Sequence, residues 1–581
     1  MLSLQQAIEI KESIVSYLKA TFTFRKKDVA QAFHDFIYHP EKGMFKGPYL
    51  SLKLRFVKAD EKEIEQIPLE IKPNWPPYDH QVKAWHRLST HEHEPQPTIV
   101  TTGTGSGKTE AFLYPVLDYC YRQKDRKGIK VIIMYPMNAL ATDQAKRLGE
   151  MIFEDDRLSG KIRAGLFIGE GKQSQNIQRN KLMGPDHIIE DRNTIVDSPP
   201  DILLTNFKML DYALMKHNYN GLWSHNIGDK GLFKFLVLDE LHTYDGAQGT
   251  DVANLIRRLK LKLDMKEGQL CPVGTSATIG SSEDAPALLA DYAQKIFGET
   301  ITEEAIISEN RVNVEDFFEE DESLLPFIPL PNKLKDLVYH ERDNFDDYLQ
   351  GHVDAWQQDK ENLSQGLRQL KIVKDLLTLF NRGRDMLTID HVMQGLSVMN
   401  EGYRRLPQWD LVYRYNPKER VLESLLTLIA QAKDEENIRM PFIYLQVQLW
   451  IRELSGVQYT LEEKPQFTFR DQVDAQTEIS ALPPWYCREC NSSGWLGLRQ
   501  DGSDKFSKNI SDIYRMFIND SQDMVNKSLY YILQANELSR DELRITGYEP
   551  TDFEESRINP VTVAVVSKSE EGLDIPGVRK G

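Results

Sequence analysis

Two adjacent carboxylates, Asp239 and Glu240, follow an apolar run, FLVL at residues 235–238, that is typical of a buried strand. Neighbouring acids at the end of such a strand repel each other and lose hydration, which is costly unless a cation lies nearby. In phosphoryl transfer, one acid can bind Mg²⁺ while the other orients the attacking water. The pair therefore predicts metal-assisted phosphate chemistry. The alternative is an acidic turn after a core strand, and a phosphate site elsewhere in the chain would argue against it.

A phosphate site is predicted upstream, where strand-forming residues at 98–100 lead through a glycine-rich loop into a helical pattern. Glycines allow backbone N–H groups to converge on phosphate oxygens, and the following helix adds its N-terminal dipole. Lys108 is expected to reach the β- and γ-phosphates of ATP, and Thr109 to hold Mg²⁺ together with Asp239. The alternative is a flexible Gly/Ser loop. The residues expected to bind the nucleotide are Thr102, Gly103, Thr104, Gly105, Ser106, Gly107, Lys108 and Thr109.

The loop departs from the strict G-x-x-x-x-G-K-[ST] pattern because Thr102 occupies its first position. It resembles instead the A-x-T-G-x-G-K-T loop of superfamily 2 helicases. DELH at 239–242 resembles the DExH box of the same enzymes, and Gln81 in PPYDHQVKAW resembles their adenine-reading glutamine. The resemblance implies catalytic roles for Lys108, Asp239, Glu240 and His242. It also implies that the SAT residues couple hydrolysis to strand movement; these are Ser276, Ala277 and Thr278.

Two further stretches, YPMNALATDQAKRL from Tyr135 and PPDILLTNFKML from Pro199, resemble helicase motifs Ia and Ib. The resemblance implies that they touch nucleic acid, through Pro136, Asn138, Thr205 and Asn206. FKGPYLSLKLRF, MPFIYLQVQLWIREL and LPPWYCRECNSSGWLG narrow the likeness to large prokaryotic DEAD/DEAH-box helicases that usually end in a DUF1998 domain. That group includes repair helicases of the MrfA kind and helicases of the Druantia and DISARM phage-defence systems. It implies DNA as the substrate, defence or repair proteins as further partners, and this chain as the N-terminal part.

The predicted fold class is α/β, with a P-loop RecA-like domain built from a parallel sheet with helices on both faces. KPNWPP at 72–77 is a plausible linker, because proline cannot continue a helix. Aromatic residues of the accessory region, such as Trp450, are expected in its core. The predicted segments are an N-terminal extension at 1–75, the ATP-binding domain at 76–282, a mostly helical accessory region at 283–480, and a cysteine-containing lead-in to a second motor domain at 481–581.

Two features near the end of the chain leave alternatives open. Cys487 and Cys490 form a C-x-x-C pair that could be half of a Zn²⁺ site, which needs two more ligands, or a redox pair. GLDIPGV at 572–578 resembles motif V of a second motor domain, but Val566 stands where that motif usually has threonine. We favour a Gly/Pro surface turn for the GLDIPGV stretch.

The composition limits the classes of protein to which the chain can belong. The chain has 581 residues, 40% of them hydrophobic and 27% charged, with a net charge of −17. This charge argues against a general polyanion binder, although a local basic track such as residues 257–266 remains compatible with a nucleic-acid motor. Four cysteines form no disulfide framework, which favours the reducing cytoplasm, and no apolar run reaches membrane-spanning length. The competing hypothesis is an ATP- and nucleic-acid-binding module without unwinding activity of its own.

Overall fold

The chain forms two compact units, one of residues 54–317 and one of residues 1–53 with 318–581. The computed structural model describes residues 3–103, 105–169, 179–277, 284–318, 324–334, 337, 344–381, 386–399, 418–435, 437–462, 464, 466–472, 480–488, 491–500, 502–503, 505–507, 509–518, 527–533, 554–559, 564–566 and 573–580.

The described helices, in chain order, are α1 (Ser3–Thr21), α2 (Lys27–Tyr38), α3 (Glu61–Glu65), α4 (Asp79–Leu88), α5 (Lys108–Arg122), α6 (Asn138–Glu154), α7 (Arg192–Asp197), α8 (Phe207–Met215), α9 (Ser224–Gly228), α10 (Gly246–Lys262), α11 (Ala285–Phe297), α12 (Val314–Phe317), α13 (Pro331–Leu334), α14 (Phe345–Ala355), α15 (Leu363–Arg368), α16 (Lys371–Asn381), α17 (Ile389–Met399), α18 (Lys418–Gln431) and α19 (Ile510–Ile518).

The described strands are β1 (Phe45–Lys53), β2 (Thr98–Thr101), β3 (Val131–Met134), β4 (Ala164–Phe167), β5 (Ile202–Thr205), β6 (Phe235–Leu238), β7 (Cys271–Ser276), β8 (Ile306–Ser308), β9 (Leu387–Thr388), β10 (Tyr444–Ile451), β11 (Val457–Thr460), β12 (Phe467–Phe469), β13 (Ala481–Leu482), β14 (Pro484–Tyr486), β15 (Ser493–Gln500), β16 (Phe506–Ser507), β17 (Lys527–Leu533), β18 (Glu554–Asn559), β19 (Ala564–Val566) and β20 (Leu573–Lys580).

The unit of residues 54–317 is built on a seven-stranded sheet in the order β4-β5-β3-β6-β7-β2-β8. All neighbouring strands in it are parallel. β2 to β7 are buried along their whole length and mostly apolar, as expected when helices cover both faces of a parallel sheet. The predicted α/β fold class, a parallel sheet with helices on both faces, is confirmed.

Alternate residues of the central strands enter two separate cores. Ile132 and Met134 of β3 pack with residues of α8, α10 and α11, whereas Val131 and Ile133 pack with residues of α5 and α6. Because β2, β6 and β7 are close neighbours, the segments that follow residues 101, 238 and 276 leave the same edge of the sheet. In open α/β sheets, ligands bind at this carboxyl edge.

The compact units do not follow the boundaries predicted at residues 75 and 282. β8 lies beyond residue 282 but pairs with β2, which places it in the parallel sheet. Residues before 75 also belong to this unit, because the Asp118 side chain of α5 accepts hydrogen bonds from the backbone N–H groups of Glu70 and Ile71. The four-segment division therefore stays a prediction about domains.

The unit of residues 1–53 and 318–581 contains three further sheets, with strand orders β10-β1-β9, β12-β11-β13 and β14-β15-β17-β20-β18-β19; β16 pairs with β15. All the strand pairs in these sheets are antiparallel. Two expectations are wrong here. Residues 573–580 form strand β20, paired with β17 and β18, instead of a Gly/Pro turn. Trp450 is 53% exposed and does not lie in the core.

None of the helices within the described ranges is both long enough and apolar enough to span a membrane.

Candidate ATP site

The two acids lie where β6 ends, at the carboxyl edge of the sheet. Asp239 is 9% exposed. Glu240 has left-handed backbone angles, φ 50° and ψ 53°, which direct its side chain away from the line of the strand. The Thr275 hydroxyl of β7 donates a hydrogen bond to Asp239 Oδ1 and accepts one from the Glu240 N–H at 3.1 Å. One hydroxyl group therefore holds both acids in register.

Burial raises the pKa of the Asp239 carboxyl, and the neighbouring charge of Glu240 raises it further. The Thr275 hydrogen bond and the Lys108 ammonium act in the opposite direction. A divalent cation at Asp239 would offset the cost of this buried charge, and carboxylate and hydroxyl oxygens suit Mg²⁺. The carboxylate of Asp239 is therefore suited to such a cation, and the role of Thr109 in holding Mg²⁺ stays a prediction.

The predicted phosphate-binding loop begins where β2 ends and passes directly into α5 at Lys108. Gly105 and Gly107 have φ values of 77° and 74°, in the left-handed region that favours glycine. A Cβ at Gly107 would lie 2.3 Å from Gln81 Nε2, so the Gln81 amide would have to move to make room for a side chain. Thr104 lies outside the described residues. The remaining predicted loop residues form the expected turn between strand and helix.

Lys108 connects the loop with the strands that carry the acids. Its Nζ lies 3.6 Å from Glu240 Oε1 and donates to the Ser276 carbonyl oxygen at 3.4 Å. His242 Nδ1 lies 3.4 Å from Glu240 Oε2 and 3.3 Å from Ser276 Oγ. The structure therefore brings together side chains from three of the predicted motifs. Ala277 is exposed beside them, and Thr278 lies outside the described residues.

Helix α4 supports the loop and the first turn of α5 through three side-chain donors. His80 Nε2 bonds to the Ser106 carbonyl at 2.9 Å, and burial lowers the pKa of this imidazole. Gln81 Nε2 donates to the Gly107 carbonyl and Trp85 Nε1 to the Glu110 carbonyl, both at 3.1 Å. The Ser106 and Gly107 carbonyls of the loop are thereby bonded to α4. Gln81 Oε1 also accepts from the Tyr78 N–H, and its adenine-reading role stays a prediction.

A glutamate after β8 holds the other end of the loop. Glu309 Oε2 accepts the Gly103 N–H at 2.6 Å, and its Oε1 accepts from Arg311 Nε at 2.8 Å. The guanidinium of Arg311 stacks over the Phe56 ring at 3.9 Å and donates to the Leu54 carbonyl. The loop is thereby tied to the two chain segments that border this unit.

Sequence reasoning missed five residues of this site: Thr275, His80, Trp85, Glu309 and Arg311. The first three carry a usable signal. Thr275 precedes the SAT residues on a buried strand, and His80 and Trp85 lie on the same short helix as Gln81. Glu309 carries none, because it meets Gly103 only after the chain returns to the sheet 206 residues later.

Two of the residues predicted to touch nucleic acid meet at the same edge of the sheet. Asn206 caps α8 through its Oδ1, and its Nδ2 donates to Asn138 Oδ1 at 2.6 Å. Asn138 begins α6, so two helix N-termini lie side by side, an arrangement suited to phosphate groups. The Thr205 hydroxyl is buried and donates to the Phe167 carbonyl instead. Pro136 is partly exposed before α6.

The predicted half zinc site has no support from the described part of the chain. Cys490 lies outside the described residues. Cys487 follows β14, and its backbone exchanges hydrogen bonds with Ser492 and Asn491 in a tight turn. Among the described residues, no group of three or more His, Cys, Asp or Glu side chains is placed to hold a metal ion.

Comparison with known proteins assigns the domain that contains the site. The profile of the DEAD/DEAH box helicase family matches residues 78–285. Residues 78–285 are a DEAD/DEAH box helicase domain. The match includes the loop, both acids and the SAT residues.

The relatives are much longer than their matched regions. Druantia protein DruE of Escherichia coli is 26% identical over 305 residues, covering 37% of this chain and 16% of that protein. The uncharacterized ATP-dependent helicase YprA of Bacillus subtilis is 32% identical over 208 residues, covering 36% and 23%. The chain thus spans less than a quarter of either relative. The crystal structure of the DUF1998 helicase MrfA bound to DNA matches with a TM-score of 0.32 and 23% identity, covering 49% of this chain and 35% of that one.

Proposed function

We propose that this protein is an ATP-dependent nucleic-acid helicase or translocase that acts on DNA and hydrolyses Mg-ATP at the Lys108/Asp239/Glu240 site. The observation that carries the proposal is the meeting of Lys108, Glu240 and Ser276 at the carboxyl edge of the sheet. These residues come from three separate motifs, and a purely structural ion pair would not require that convergence.

Each residue has a distinct role in this proposal. Lys108 neutralises the charge that develops on the transferred phosphate, and the loop N–H groups bind the remaining phosphate oxygens. Asp239 and Thr109 would hold Mg²⁺, which would supply positive charge to offset that of the phosphates. Glu240 orients the attacking water and accepts its proton. Ser276 joins the Lys108 and His242 side chains, so a change at the phosphates reaches the SAT segment.

The nucleic-acid part of the proposal rests on the paired helix N-termini at Asn138 and Asn206. Phosphate contacts of this kind bind a strand without reading its sequence. DNA as the substrate, and a role in phage defence or DNA repair with the proteins of such a system as partners, follow the sequence resemblance. The similarity to a Druantia protein supports this role. A cytoplasmic location is part of the same proposal.

A second candidate function is an ATP- and nucleic-acid-binding module that does not turn over. The observation in its favour is the 3.6 Å approach of Lys108 to Glu240, which occupies the proposed base with an ammonium group. The two candidates predict different steady-state rates, although both predict Mg-ATP binding.

Two substitutions test the assignment. Lys108→Ala is expected to abolish hydrolysis and to weaken Mg-ATP binding, since it removes the cation at the phosphates. Glu240→Gln is expected to abolish hydrolysis while Mg-ATP still binds, because the amide keeps the shape of the side chain but cannot accept the proton. Lys127→Ala, at an exposed lysine of the same unit, is the control and should match the unmodified protein. Loss of Mg-ATP binding in a folded Glu240→Gln protein would contradict the role of that acid.

A further inference from the structure

One face of the antiparallel pair β1 and β10 presents two aromatic side chains, the exposed Trp450 and the half-buried Tyr49. In the strand register Lys46 lies opposite Trp450, and Tyr49 lies opposite Gln448. The ring centroids of Tyr49 and Trp450 are 5.5 Å apart, and Trp450 Nε1 donates to Gln448 Oε1 at 3.3 Å. Trp450 is 53% exposed, and Lys46 is exposed beside it. We call these four residues the aromatic platform.

The position of Trp450 follows from the alternation along β10. Tyr444, Gln446, Gln448 and Trp450 share one face of the strand, while leucine and valine side chains occupy the other. The neighbouring strand β1 directs Leu50 and Leu52 into buried positions. The indole therefore lies on the polar face of a sheet whose opposite face is apolar, so its exposed ring contributes little to the core.

The charge of the two strands differs from that of the whole chain. Residues 45–53 and 444–452 contain Lys46, Lys53 and Arg452 but no aspartate or glutamate, in a chain with a net charge of −17. Arg452 is paired with Asp471, whose carboxylate also interacts with Lys46, and Lys46 is the exposed lysine next to the indole. Exposed aromatic rings beside basic side chains are the combination that binds single-stranded nucleic acid, because every base offers a π-face and every linkage a phosphate.

We propose that the aromatic platform binds a single strand of nucleic acid, with bases stacked on Trp450 and Tyr49 and a phosphate near Lys46. The inference rests on the proposed function, since it adds a second contact for the strand on which the ATP-driven unit acts. Stacking does not depend on base identity, so the platform suits a protein that moves along a strand of any sequence.

The first test measures the affinity of the full chain for a 5′-fluorescein-labelled dT₂₀ strand by anisotropy at fixed salt. Trp450→Ala is expected to weaken binding about 5- to 160-fold, the range for losing one base–aromatic stack. Trp450→Phe keeps a ring and should stay within a few-fold of the unmodified protein. Trp75→Ala is the matched control, because Trp75 is 40% exposed and belongs to the ATP-binding unit. It should leave the affinity unchanged.

The second test separates charge from stacking. Lys46→Gln is expected to reduce the slope of log affinity against log salt by about 0.7, the value for one phosphate contact on a single strand. Trp450→Ala should leave that slope unchanged. A 5-iodouracil-substituted strand should cross-link under ultraviolet light to Trp450 or Tyr49, which peptide mass spectrometry would identify.

The outcomes separate this inference from the proposed function. If the unmodified chain binds the strand and Trp450→Ala binds it equally well, the platform is overturned and the proposed function stands. If the unmodified chain binds Mg-ATP but no strand, the nucleic-acid part of the proposed function fails together with the platform. If Trp450→Ala dissociates a dimer without changing strand affinity, the face contacts a second copy and the proposal is wrong.

Discussion

Replacing Thr275 by valine tests how the two acids are held. The change keeps the shape of a fully buried side chain and removes its hydroxyl. Two hydrogen bonds are lost, one to the Asp239 carboxylate and one from the Glu240 N–H. A bond to a charged group contributes about 1.5–3 kcal/mol and a neutral one about 1 kcal/mol, so the local loss is about 3 kcal/mol.

The hydrogen bond lost from the Glu240 N–H affects a residue in a strained backbone conformation. Left-handed angles cost a non-glycine residue about 1–2 kcal/mol, and the Thr275 hydroxyl stabilises the Glu240 backbone in that conformation. Without it, Glu240 is expected to leave the position from which it orients water. A misplacement worth about 1.4–2.8 kcal/mol in the transition state reduces kcat about 10- to 100-fold.

The assay is steady-state ATP hydrolysis at saturating Mg-ATP, with the thermal midpoint measured in parallel. Thr275→Val should lower kcat by the stated factor with a smaller change in KM, because the loop predicted to bind the phosphates is untouched and Asp239 loses only one of its contacts. Thr275→Ser restores the hydroxyl and should recover most of kcat, although it loses a buried methyl group. A valine variant that turns over at the unmodified rate would refute the claim that this hydroxyl positions Glu240.

Two further predictions address the loop and the second unit. Glu309→Ala should raise KM for ATP several-fold with a smaller effect on kcat, because the Gly103 N–H and Arg311 lose their shared acceptor. The control is Glu303→Ala, which changes an exposed glutamate three residues before β8. Equal KM values for the two variants would contradict the proposed support of the loop. Burial lowers the pKa of His352 to about 4, below its unfolded value of 6.5, so its contribution to stability is present above pH 6.5 and lost as the pH falls to 4. The free energy of unfolding of His352→Asn, measured by urea denaturation across that range, should vary with pH by about 3 kcal/mol less than that of the unmodified protein; parallel curves would contradict this assignment.

The core of the candidate ATP site was predictable because each part has a recognisable local sequence pattern. FLVL followed by two acids indicates a strand end, and the GKT sequence after small residues indicates a loop that opens a helix. Parallel-sheet geometry then brings these segments to one edge. The support around the site was less accessible, because the Gly103–Glu309 contact depends on which strand β8 joins. No local pattern specifies that pairing.

The sequence around Trp450 indicates an exposed position, although the residue was expected in the core. The stretch YLQVQLW alternates polar or aromatic residues with leucine and valine, which is the period of a half-exposed strand. That period places Trp450 on the same face as Gln446 and Gln448. The helical spacing of the neighbouring segments favoured a mostly helical region and a buried indole. The structure shows β10 and an exposed ring instead.

The most direct test of the central claim is Mg-ATP hydrolysis by this 581-residue chain, measured with and without single-stranded DNA. The proposed function predicts turnover that DNA stimulates and that Glu240→Gln abolishes. Mg-ATP binding without turnover would favour the binding module. A chain that neither binds nor hydrolyses Mg-ATP would contradict the assignment of Lys108, Asp239 and Glu240 to an ATP site.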